Sequence, residues 1–161
     1  MTFCTFTKGR DTVKISTKGD YATRALQDLA LQYNKGPVPI EEIAQRQAVP
    51  VRYLEQILLL LKQAGLLESR RGVNGGYALA KHPREITLGQ IIRVMDGPLA
   101  PIFCVDGAST QECSQEPTCV LREVWAEVHR AISAIVDNTT LEDICDRIRL
   151  RQEKRNLTYH I

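Results

Sequence analysis

The chain has 161 residues, 43% of them hydrophobic and 25% charged, with a formal net charge of +2. That is enough apolar content for one packed domain, or a small domain with a helical extension, and too much for wholesale disorder. No apolar run exceeds the five residues from Ile57 to Leu61, and Met1-Thr2-Phe3-Cys4 opens no signal peptide. A cytoplasmic protein with no membrane partner is expected.

Charge is unevenly spread. Residues 1–96 carry fourteen Lys/Arg against nine Asp/Glu, residues 97–145 two against eight, and residues 146–161 five against two. A basic front and an acidic middle fit a half that faces nucleic acid joined to a half that faces something else.

In chain order, residues 1–12 read as a disordered extension. From Thr17 the apolar residues Tyr21, Ala22, Ala25, Leu26, Leu29, Ala30 and Tyr33 recur at helical spacing, and Asn34-Lys35-Gly36-Pro37 ends that helix. Pro39 starts a short helix carrying Ile40, Ile43 and Ala44. Pro50 starts another, running to about Ala64, with Leu54, Ile57, Leu58 and Leu61 as its buried stripe and Gly65 as its stop. Two helices joined by a tight turn make a helix-turn-helix. Leu66 to Arg70 and Tyr77 to Ala80 then read as strands around Gly72-Val73-Asn74-Gly75-Gly76, a hairpin placed where a wing would be.

Thr87-x-x-Gln90 predicts a capped helix through Met95, stopped by Gly97-Pro98. Residues 98–118 read as a long loop, and a loop of that length is commonly functional. Behind it Leu121, Val124, Trp125, Val128, Ile132 and Ile135 recur over a long helix, with Val120, Ala131 and Val136 widening its apolar face. So broad a face predicts pairing with a second copy. Thr140-x-x-Asp143 starts a further element, followed by a basic, solvated tail over residues 146–161.

The fold expected is mostly α with a small β-hairpin. It comprises a winged helix-turn-helix over residues 13–97, a cysteine loop over 98–118, and a dimerisation helix with its following turn over 119–145. Arg52, Tyr53, Glu55 and Gln56 lie in the first turns of the second helix of the pair, where side chains meet major-groove base edges. Arg70, Arg71 and Gly72 on the wing would meet phosphate or the adjacent minor groove.

Five cysteines is an odd count without secretory context, which disfavours a disulfide scaffold. Cys104, Cys113 and Cys119 are separated by eight and five residues. The tight pair of a structural zinc knuckle is absent. Wider spacing in a long loop suits an iron–sulfur cluster, and three thiolates leave one ligand to come from elsewhere. Spacing alone leaves redox-active thiols open.

Three stretches carry a resemblance: Lys14-Ile15-Ser16-Thr17-Lys18-Gly19-Asp20-Tyr21-Ala22, Val49-Pro50-Val51-Arg52-Tyr53-Leu54-Glu55-Gln56, and Arg71-Gly72-Val73-Asn74-Gly75-Gly76-Tyr77-Ala78-Leu79-Ala80. Together they resemble the IscR/NsrR/CymR family of bacterial winged-helix repressors, from about Lys14 to Asp143. The resemblance implies a homodimer, paired through the long helix, that binds a two-fold double-stranded DNA operator. It also implies the branch whose three loop cysteines hold a 2Fe–2S or 4Fe–4S cluster.

The chain departs from the IscR type at two places. Its first cysteine gap is eight residues rather than five, and Arg122 stands where that type has a ligand His. Asp20 occupies the position where the NsrR type supplies an acidic fourth ligand from the partner subunit, which favours 4Fe–4S over 2Fe–2S. Glu123, His129 and Cys145 are the remaining candidates. Family sequences begin near Lys14, so Val13 is an alternative initiation site. The function expected is regulation of transcription by cluster, redox, iron or nitric oxide status. The alternative is a clusterless repressor controlled by thiol oxidation or a partner protein. No nucleotide loop or catalytic carboxylate pair is recognisable, so no enzyme is expected.

Overall fold

The computed structural model describes residues 15–72, 74–105 and 118–158; the expected extension over residues 1–12 and Cys113 lie outside them. The elements are α1 (Thr17–Leu31), α2 (Ile40–Gln47), α3 (Val51–Gln63), β1 (Leu67–Arg70), β2 (Gly76–Leu79), α4 (Leu88–Asp96), α5 (Val120–Asp137) and α6 (Leu141–Thr158). Short 3-10 turns lie at Pro83–Glu85 and Phe103–Val105.

Ser16 caps α1, its Oγ accepting from the Gly19 N–H at 3.0 Å. Ala22, Ala25, Leu26, Leu29 and Ala30 then face the core at spacings of three and four. α2 and α3 each follow a proline with φ of −58°, an angle the ring already favours. Between them Ala48 adopts the left-handed conformation at φ +53°. The strain costs on the order of 1 kcal/mol, and the turn turns Val49 into the core, where it is buried. Leu54, Ile57, Leu58 and Leu61 of α3 are fully buried. At about 1.5–3 kcal/mol each, that stripe sets which way the rest of α3 points.

β1 and β2 pair antiparallel with Leu67 opposite Leu79 and Arg70 opposite Gly76. The wing is anchored at its base as well: Val38 donates to the Tyr77 carbonyl at 2.9 Å and accepts from the Tyr77 N–H at 2.8 Å. α4 begins in a capping box formed by Thr87 and Gln90, as its sequence pattern predicts. A small apolar cluster of Ile92, Leu99 and Val136 joins α4 to α5.

α6 differs from expectation in extent. It is one helix through Thr158, where the sequence reading ends a turn at 145 and begins a basic tail. Thr140 and Asp143 cap each other's backbone at its start, and Leu141 and Cys145 anchor it in the main core. No Gly or Pro interrupts residues 141–158, so helix formation propagates through the charged segment. No described helix is long and apolar enough to cross a membrane.

Candidate functional site

With its apolar stripe buried, α3 presents Arg52, Glu55 and Gln56 to solvent. Tyr53 is placed differently: it is half-buried and meets the Tyr21 ring edge-on, centroids 5.9 Å apart. The Arg24 guanidinium lies over the Tyr21 ring, 5.6 Å from its centre. The ring of Tyr53 therefore braces α3 against α1.

The helix-turn-helix is held from beneath by a buried carboxylate. Asp28 on α1 accepts from Arg46 Nε at 2.9 Å and from Arg46 Nη2 at 2.8 Å. Its side chain is almost wholly buried, while that of Arg46 is partly open to water. Arg46 also reaches Glu42 at 2.9 Å; the Asp28 hydrogen bond is the first cause of its raised pKa. Arg24 adds a bond to the Gln47 carbonyl at 2.9 Å. These bonds fix α2, and through it the turn that aims α3. Nothing in the sequence pattern distinguished Asp28 from the other acidic residues of the basic half.

On the wing, Arg70, Arg71 and Gly72 are exposed, and Arg70 lies 3.6 Å from Glu68. Gly72 has φ +114°, a conformation that suits glycine, and its carbonyl accepts from Gly75 at 2.9 Å. Lys62 at the end of α3 donates to Ser69 of β1 at 2.6 Å, tying the wing to the helix.

Cys104 sits in the Phe103–Val105 turn and Cys119 caps α5; both are half-buried and neither is in a disulfide. Arg122 joins the two segments. Its Nε donates to the Cys104 carbonyl at 3.2 Å and its backbone N–H to the Cys119 carbonyl at 3.2 Å. The residue that replaces a ligand His in the resemblance thus fastens the loop's two ends together. Thiols on two apposed segments fit an iron–sulfur cluster in donor type. Among the described residues no three His, Cys, Asp or Glu side chains form a metal-binding group.

Asp20 is exposed in the first turn of α1, 3.5 Å from Arg24. Glu123 is exposed and His129 half-buried on α5. Cys145 lies in the main core, where burial pushes its thiol pKa up.

α4 connects these regions. At its C-terminal end the Asp96 carboxylate accepts from the Ser16 N–H at 2.9 Å and from the Ser16 hydroxyl. The start of α1, which carries Asp20, is therefore bonded to the point where the cysteine loop departs. A Cβ on Gly19 would lie 2.6 Å from Asp96 Oδ2, so a larger residue there would push the carboxylate away from Ser16. On its outer side Arg93 donates to Asp137 of α5, one of the two bonds being 2.9 Å. That bond holds the Asp137 carboxyl below the usual carboxylate range. The link is stabilising above the ordinary carboxylate pKa and is lost as acidity passes the lowered one. Leu88 donates to the Thr139 carbonyl at 2.9 Å, fastening the N-terminal end of α4 to the turn before α6.

A family model described as Rrf2, iron-dependent transcriptional regulator, matches residues 15–147. A putative HTH-type transcriptional regulator, rrf2-like, from Rhodobacter capsulatus is 40% identical over 136 residues, covering 81% of this chain and 91% of that protein. Among solved structures, CymR, the global cysteine regulator of B. subtilis, is 38% identical with a TM-score of 0.69, covering 83% of this chain and 97% of its own. T. potens IscR is also 38% identical, with a TM-score of 0.66 and coverages of 84% and 88%.

Proposed function

The chain belongs to the Rrf2 family of DNA-binding transcription regulators, and from that premise we propose that it is a homodimer whose operator affinity follows an iron–sulfur cluster. Cys104, Cys113 and Cys119 would hold the cluster, with Asp20 of the partner subunit as the fourth ligand and 4Fe–4S favoured. When bound, that group supplies a centre sensitive to oxidants, nitric oxide and iron supply.

The observation that carries the reading is the position of α4. The cysteine loop leaves from its C-terminal end and returns at α5. The same end holds α1 through Asp96 and Ser16, while Arg93 holds α5 through Asp137. A displacement of either cysteine segment thereby reaches the helices that aim α3. Arg122 keeps the loop's two ends together; Arg52, Glu55 and Gln56 meet base edges; Arg70 and Arg71 meet phosphate or minor groove; Gly72 permits the wing's turn; and Tyr53 holds α3 in place.

Pairing through α5 is supported by the apolar surface it leaves in solvent. Val120 is 70% exposed, Leu121 67% and Ile135 68%, with Val124 and Trp125 on the same helix. α5 packs on α4 by its other side, and large apolar groups gathered on one exposed helix face mark an interaction surface.

Affinity for a duplex selected from a random library, measured by fluorescence anisotropy under anaerobic conditions, tests the reading. Cluster-loaded and cluster-free protein should differ by about 5–150-fold, the range of ordinary allosteric coupling. Equal affinities would remove the sensing function and leave a DNA-binding protein. A second reading, control by thiol oxidation or a partner protein, draws support from the similarity to CymR, named a global cysteine regulator. Under that reading anaerobic protein is colourless, and thiol oxidation or the partner protein moves its affinity.

A further inference from the structure

Two large apolar residues of α3 are exposed: Val51, at its first position and toward the edge of the buried stripe, and Leu59. At 100° per residue, Leu54, Ile57, Leu58 and Leu61 occupy the core side, and Arg52, Glu55, Gln56 and Leu59 fall on the opposite side. Leu59 is 53% exposed and lies in the arc between Glu55 and Gln56, one turn further along. These positions are i, i+3, i+4 and i+7, and the exposed Gln63 extends the same face at i+11. The first four have the spacing at which a homeodomain's reading helix presents its four side chains to the major groove.

A single leucine on a protein surface ordinarily requires no explanation. One in the middle of a helix face directed into a DNA groove has consequences, because every base edge there offers polar atoms except one group. Thymine carries a 5-methyl, the apolar contact available in the major groove. Leucine has no donor or acceptor, so set against guanine, adenine or cytosine it would strip water from polar atoms without replacing their bonds. From Glu55 and Gln56 to Leu59 the helix advances roughly 4.5–6 Å, between one and two base steps of about 3.4 Å.

We propose that Leu59 is a specificity-determining residue that packs on the 5-methyl of a thymine, one to two base pairs beyond the bases met by Glu55 and Gln56. The proposal rests on α3 being the reading helix, and the test separates the two. Full-length wild-type, Leu59→Ala and Gln56→Ala proteins are each used to select duplexes from a random library. Each thymine of the wild-type consensus is then replaced by uracil, which removes only the methyl, and binding is followed by anisotropy.

One thymine per half-site should matter to Leu59. Uracil there weakens wild-type binding about 4-fold, the worth of one buried methyl group, and roughly 15-fold when both half-sites are changed. Leu59→Ala should bind thymine and uracil duplexes equally, and its selected sequences should lose the preference at that position alone. Because the side chain is exposed, the variant should melt with the wild type. If Leu59→Ala keeps every wild-type preference and every uracil penalty, Leu59 reads nothing and the proposal is overturned while α3 remains the reader. If Gln56→Ala also selects the wild-type consensus, or the wild type selects none, α3 is not the reading helix and both fall.

Discussion

Replacing Cys104, Cys113 and Cys119 together with Ala is expected to remove all iron and sulfide from anaerobically purified protein while leaving it folded and able to bind DNA. Cys104 and Cys119 are half-buried and lie outside the main apolar core. Cys119 caps α5 without a side-chain hydrogen bond to the helix, so alanine there costs the cap nothing. The fastening by Arg122 uses backbone carbonyls and survives the change. Thermal unfolding should therefore move by only a few degrees, while the response of operator affinity to oxidant or nitric oxide disappears. Cys145→Ala should do the reverse: it truncates a core side chain, lowering stability by about 1–3 kcal/mol, and leaves the iron content unchanged. Metal analysis and denaturant titration of the two variants provide the check. A triple variant that keeps its iron, or loses its fold, contradicts the assignment.

Gly76→Ala is expected to release the wing. Gly76 has φ +153°, and a Cβ there would lie 2.3 Å from the Val38 carbonyl oxygen and 2.4 Å from its carbon. Both are backbone atoms, which cannot swing aside as a side-chain end can. Accommodating the methyl separates Tyr77 from Val38 and breaks the two bonds that anchor the wing to the segment entering α2. Strain and lost bonds together suggest about 2–4 kcal/mol of destabilisation, measurable by urea titration. If Arg70 and Arg71 contact phosphate, their displacement should also lower the salt dependence of DNA binding by about 2 per subunit. Wild-type stability with an unchanged salt slope would show that the wing's anchoring matters neither to the fold nor to DNA.

Features set by short-range chemistry were legible before the structure. The stripe of Leu54, Ile57, Leu58 and Leu61 has the helical period, and burying it leaves Arg52, Glu55 and Gln56 outward. The Thr87–Gln90 and Thr140–Asp143 boxes depend only on residues three apart. Ser16 and Asp96, by contrast, are eighty positions apart, and no periodicity relates them. The crowding at position 19 follows from that contact and was equally hidden. Tyr53 shares the exposed polar neighbourhood of Arg52 in sequence, yet Tyr21 draws its ring to α1. His82 forms a capping box with Glu85 around Pro83, a pattern carried by His-Pro-Arg-Glu in which His is an unusual cap. α6 runs beyond the turn its basic residues suggest because a solvated charged segment without Gly or Pro still propagates a helix. Of the candidate cluster ligands, the described residues include Cys104, Cys119 and Asp20 but not Cys113.

Native mass spectrometry of the anaerobically purified protein, beside its Asp20→Ala variant, tests the central claim most directly. The account predicts a dimer carrying the mass of one 4Fe–4S cluster per chain, with the cluster labile in Asp20→Ala. A dimer that stays free of iron after attempted reconstitution would contradict it and transfer the regulation to the thiols themselves or to a partner protein.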